Sequence, residues 1–80
     1  MPQVSKSENL QEVGRKIRYY REKKKMSQLE LAEAIGATQN TIYLIETAQS
    51  EMKLEKLFLI AEVLDVTPNK LLPGEAKDSI

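Results

Sequence analysis

Two adjacent amides, Gln39 and Asn40, share one side of a short segment with Tyr43, Leu44 and Thr47, while Ile42, Ile45 and Glu46 take the other side. A primary amide carries a donor and an acceptor at fixed separation. Gln and Asn can therefore pair with N6 and N7 of adenine in a major groove, and threonine or apolar groups can touch the thymine methyl. Gln28 adds a third amide at the first position of the preceding helix. Free backbone N–H groups and the positive end of a helix dipole suit a phosphate there. Each of these residues is also an ordinary solvent-facing residue, so none decides the matter alone.

Other chemistry is scarce. The 80 residues include no cysteine and no histidine, which removes disulfides, thiolate metal sites, the commonest metal ligand and the commonest general base. Catalysis would then need a carboxylate pair or a lysine in a pocket, and no such constellation stands out. The chain is expected not to be an enzyme, to take no cofactor or metal, and to bind no small molecule. No apolar run approaches the roughly 18 residues of a membrane span, and the start lacks the apolar stretch of a signal peptide. A cytoplasmic protein without membrane contact is expected.

Charge is balanced overall but not along the chain. Residues 1–26 carry eight Lys or Arg against three acidic residues, and residues 27–80 carry four against nine. Seven of the cations lie between Arg15 and Lys25. Salt screens charges beyond about 8–10 Å, so a phosphate backbone feels such a local cluster rather than the net charge. A run of cations is equally what a solvated helix face looks like.

Positioning these residues requires helices. Residues 1–7 and 73–80 read as flexible tails, and between them, over 8–72, five helical segments and no strand are expected: an all-α, compact five-helix domain. Leu10, Val13, Ile17 and Tyr20 recur at steps of three and four, which predicts a first helix over about 8–24. Arg21 falls at the edge of that apolar stripe, where a guanidinium needs a carboxylate. Ser27 and Glu30 form a capping box for the second helix, flanked by Met26 and Leu31 as a hydrophobic staple. Leu31, Ala32 and Ile35 face inward, and Gly36 supplies the left-handed residue that ends the helix. Only Ala37 separates Gly36 from the next cap, Thr38, so a third helix at about 39–47 must cross the second steeply. A fourth helix over 54–64 is expected to pack Leu54, Leu57, Phe58, Ala61 and Leu64. Thr67-Pro68 then opens a last short turn ending in Leu71-Leu72.

The stretch MSQLELAEAIGATQNTI at 26–42, with Val13 to Arg18 before it, Ile45-Glu46 after it and Leu57 through Leu72 at the end, resembles the phage-repressor-like (Cro/cI-type, XRE) helix-turn-helix family. The similarity covers roughly residues 10–72. It implies a five-helix DNA-binding domain working as a homodimer on a two-fold symmetric operator, with the third helix in the major groove. It makes Gln28 a phosphate and base-edge contact, and Gln39, Asn40 and Tyr43 base readers, with Thr38 and Thr41 near the backbone. It also pairs Arg21 with Glu46 as a structural ion pair.

The chain departs from that family after the third helix, where Arg, Gly and basic residues are usual. Here stand Leu44, Ala48, Gln49, Ser50 and Glu51. Backbone contact then falls to Arg15, Lys16, Arg18, Lys23, Lys24 and Lys25, which compensate only in part. Leu59 and Val63, one turn apart, form a possible dimer patch. The expected function is a sequence-specific transcription regulator of the repressor type, bound to double-stranded DNA. The competing reading is a protein-interaction module, such as an antitoxin-like or phage-control protein, gripping a protein partner through Tyr43, Leu44 and Leu59.

Overall fold

The structure, a computed structural model, describes the backbone of residues 2–73 and the side chains from residue 8 onward. These residues form four α-helices and no strand: α1 (Pro2–Lys23), α2 (Gln28–Ala34), α3 (Gln39–Glu46) and α4 (Leu54–Leu64). The fifth helix expected from the sequence is instead a single 3-10 turn, Pro68–Lys70. Pro68 opens it as its fixed φ predicts, but three residues are too few for the repeating bonds of an α-helix before Leu71 enters the core. The first helix also begins at Pro2 rather than near residue 8, so residues 2–7, read as a tail, continue it. Proline is tolerated at a first helical position because its missing N–H would have had no partner there. The expected C-terminal tail lies outside the described residues beyond Pro73.

The helix-turn-helix forms as its caps dictate. Ser27 Oγ accepts the Glu30 N–H at 3.0 Å while the Glu30 side chain accepts the Ser27 N–H at 2.8 Å. Gly36 takes φ +74° after α2, and the Ala37 N–H returns to the Ala32 carbonyl at 2.8 Å. Thr38 caps α3 by accepting the Thr41 N–H at 3.2 Å. Ile17, Leu31, Ala32, Ile42, Ile60 and Leu71 are fully buried together at the centre. α3 packs on both α1 and α2, so its inner face is set by two supports.

Three other helix ends use a left-handed residue that is not glycine: Lys25, Ala48 and Asp65, with φ of 61°, 61° and 62°. For an L residue this conformation costs about 1–2 kcal/mol, which glycine avoids at some cost in unfolded-chain entropy. Ala48→Gly is therefore expected to stabilise the domain by about 0.5–1 kcal/mol, read as a higher midpoint in urea unfolding. An unchanged or lower midpoint would show that the turn after α3 is not strained.

α4 departs from the expected packing. Its core face is Leu57, Ile60, Ala61 and Leu64, whereas Leu54 and Phe58, expected inward, are 59% and 49% exposed. Steps of three and four from Leu57 reach Ile60, Ala61 and Leu64, and Phe58 stands one residue, about 100°, off that line. Leu54 opens the helix at the rim.

Candidate nucleic-acid interface

Glu46, the last residue of α3, is where the elements meet. Its Oε2 accepts from Arg21 Nε at 2.6 Å and its Oε1 from Arg21 Nη2 at 3.1 Å. Both side chains are buried. Arg21 Nη1 donates to the Met26 carbonyl at 2.7 Å, and Gln28 Nε2 donates to Glu46 Oε1 at 3.1 Å. One carboxylate thus joins the end of α1, the start of α2 and the end of α3. The Arg21 guanidinium is held above its already high ordinary pKa, first by its hydrogen bond to Glu46, with burial opposing. No fully buried side-chain polar atom among the described residues lacks a partner.

The same corner holds a close backbone contact. A Cβ on Gly14 would fall 2.6 Å from the Glu46 carbonyl oxygen and 2.7 Å from that of Ile45. α1 therefore lies directly on the last turn of α3. The sequence signal for this contact is a glycine inside an otherwise unbroken helical pattern.

With α3 fixed from behind, its other side is free. Ile42 and Ile45 are buried, while Gln39, Asn40, Tyr43 and Thr47 are exposed and Leu44 is half-buried. Gln28, Gln39, Asn40 and Tyr43 line one open hollow of about 370 Å³. The four residues read from the sequence as base contacts, on two different helices, are thus brought together. Thr38 and Thr41 sit at the start of α3 with their hydroxyls 3.0 Å apart, engaged with each other in the cap.

The basic residues are not gathered in the same way. Arg15 lines a separate hollow with Glu12, Lys16, Tyr19 and Tyr20. Lys23 and Lys24 lie beside Leu64, Asp65 and Val66 at the end of α4, and the Lys23 ammonium stands 5.5 Å over the Tyr19 ring. Lys16 Nζ donates to the Leu72 carbonyl at 2.7 Å, pinning the end of the domain to α1. Arg18, exposed on α1, is paired at 3.1 Å with Glu22. Lys25 occupies the turn just before α2. The cluster is compact in sequence but spreads around a helix at 100° per residue.

On α4, Leu59 is 46% exposed beside Phe58, whereas Val63 is half-buried against the protein's own core. Among the described residues no acidic, cysteine or histidine group is placed to hold a metal ion, and no helix is long and apolar enough to cross a membrane.

Two short capped helices joined by a glycine turn, the second presenting a polar face that its supports leave open, define a helix-turn-helix DNA-binding domain of the transcription-regulator class. The helix-turn-helix family HTH_3 matches residues 17–71, and the chain belongs to that family. Among solved structures, the restriction-modification controller protein C.AhdI from Aeromonas hydrophila is similar at 28% identity and a TM-score of 0.76, over 79% of this chain and 96% of that one. Hydroxypropylphosphonic acid epoxidase from S. wedmorenis is similar at 29% identity and a TM-score of 0.76, over 81% of this chain but only 35% of the epoxidase. The clp gene regulator ClgR from Corynebacterium glutamicum shares the fold, with 24% identity and a TM-score of 0.77, over 85% of this chain and 72% of that one. No curated protein matches the chain significantly.

Proposed function

We propose that this protein is a sequence-specific repressor that binds an inverted-repeat operator as a homodimer, with α3 in the major groove. The observation that carries the reading is the convergence of Gln28, Gln39, Asn40 and Tyr43 on one exposed hollow. Gln39 and Asn40 lie at the N-terminal end of α3, where a recognition helix contacts base edges. Arg15, Arg18, Lys23, Lys24 and Lys25 are the cations that would grip phosphates, supplying positioning rather than sequence discrimination. One recognition helix covers one half-site, so two copies read one operator. Leu59, 46% exposed on α4, with the half-buried Val63 one turn on, offers an apolar contact for that pairing. The likeness to a restriction-modification controller protein, over 96% of that chain, supports a regulatory role for this domain.

The test is selection from a randomised duplex pool at about 0.1 M salt, where non-specific phosphate binding is partly suppressed. Enrichment of an inverted repeat with half-site centres about 34 Å apart is the expected result. No enrichment by folded protein would transfer the exposed leucines to the protein-interaction reading. On the selected site, Gln39→Ala combined with Asn40→Ala is expected to erase sequence preference, at about 1–3 kcal/mol for each lost base pairing. Both residues are exposed, so thermal unfolding should be nearly unchanged. Preference retained in the double variant would remove these amides from base reading.

A further inference from the structure

Gln28 is half-buried at the start of α2, and its amide is not free to turn. Nε2 donates to Glu46 Oε1 at 3.1 Å, the oxygen that also accepts from Arg21 Nη2. Turning the amide over would set two acceptor oxygens that close with no hydrogen between them, against a carboxylate that cannot donate. Glu46 cannot yield either, because Arg21 grips both of its oxygens and Arg21 is itself tied to the Met26 carbonyl. The carbonyl end of the Gln28 amide is consequently turned away from Glu46, on a side chain that lines the hollow shared with Gln39, Asn40 and Tyr43.

We propose that Glu46 is a specificity-determining positioning residue: through Gln28 it fixes an outward hydrogen-bond acceptor at the DNA-reading surface. An untethered amide can turn to put either its oxygen or its nitrogen at a given point, whereas a tethered one presents the same atom there each time. A fixed outward carbonyl accepts only, and in the major groove the donors are the exocyclic amines, N6 of adenine and N4 of cytosine. The Gln28 oxygen therefore favours an amine-bearing base over thymine or guanine where it points, the second amide hydrogen being left to donate alongside it, and the buried ion pair sets that orientation in addition to bracing the fold. This inference rests on the reading of the hollow as the base-contacting surface.

Two measurements separate the parts. In the free protein, the side-chain amide protons of Gln28, assigned by their disappearance in Gln28→Ala, are expected to be shifted from random-coil positions and to exchange more slowly than those of exposed Gln39. Random-coil shifts and exchange equal to Gln39 would overturn the proposal without any DNA. On the selected operator, Glu46→Gln keeps the shape but can present either a donor or an acceptor to Gln28. It should lower discrimination for an amine-bearing base at one position by about tenfold, the scale of a single base-edge contact, and have no such effect in a Gln28→Ala background. Equal weakening on all sequences, or the same effect in both backgrounds, would make Glu46 structural only. Should Glu46→Gln fail to fold, Gln28→Ala alone must produce the same single-position loss. A wild-type protein that enriches no sequence would sink the reading of the surface, while the amide measurement would still decide whether Glu46 orients Gln28.

Discussion

Arg21→Met is expected to destabilise the domain by about 3–5 kcal/mol, a large share of the roughly 5–15 kcal/mol that holds a protein of ordinary stability together. The cost comes less from the attraction lost than from the carboxylate left behind. Glu46 would keep its burial and lose both guanidinium bonds, retaining only the Gln28 amide. The Met26 carbonyl would lose its donor as well. Urea unfolding measures the change, provided the slope of the transition is unchanged. The companion Arg21→Met with Glu46→Leu should recover most of the loss, because a buried pair replaced by apolar side chains of similar volume is often neutral. A single variant that loses less than about 1 kcal/mol, within the range of exposed pairs, would mean that water reaches this site.

The arginine itself introduces no pH dependence over the range in which such measurements are made. Its folded-state pKa is raised, so its contribution is fully present below the ordinary arginine value and is lost only as pH climbs through the higher folded one.

Gly14→Ala is the second large effect. Alanine favours a helix over glycine by about 1 kcal/mol, so an exposed glycine in α1 would gain from the change. At position 14 the new Cβ would stand 2.6–2.9 Å from three backbone atoms of Ile45 and Glu46. Backbone cannot rotate away as a side chain can, so α1 and the end of α3 must separate. Overpacking of this kind costs about 1–3 kcal/mol, or roughly 4–8 °C in thermal midpoint per kcal/mol for a domain of this size. Because Glu46 carries both the clash and the link to Gln28, DNA preference should degrade together with stability. A midpoint that rises would show that helix propensity outweighs the contact.

Much of the architecture was legible from local signals. The capping box at Ser27 and Glu30, Gly36 as the left-handed stop and Thr38 as the next cap all act within four residues, so their chemistry is written in adjacent letters. The partnership of Arg21 with Glu46 was legible because a guanidinium at the edge of an apolar stripe requires a carboxylate and the family resemblance supplied one. The fifth helix was not: Thr-Pro is a helix start of any length, and the entry of Leu71 into the core cuts it to one 3-10 turn. Phe58 misled because hydrophobic character marks a residue that could be buried, while the angular position of Leu57 and Ile60 decides which residue is.

The helix-turn-helix and the polar face of α3 follow from the amino-acid order alone, because caps, turns and periodicity are short-range physics. That Gly14 is a contact point, that the Arg15–Lys25 cations spread apart, and that Gln28 is tethered to Glu46 emerge from the folded arrangement. Each of those depends on where a second helix lies, and helix positions follow from the packing of the whole core rather than from the residues nearby in the chain.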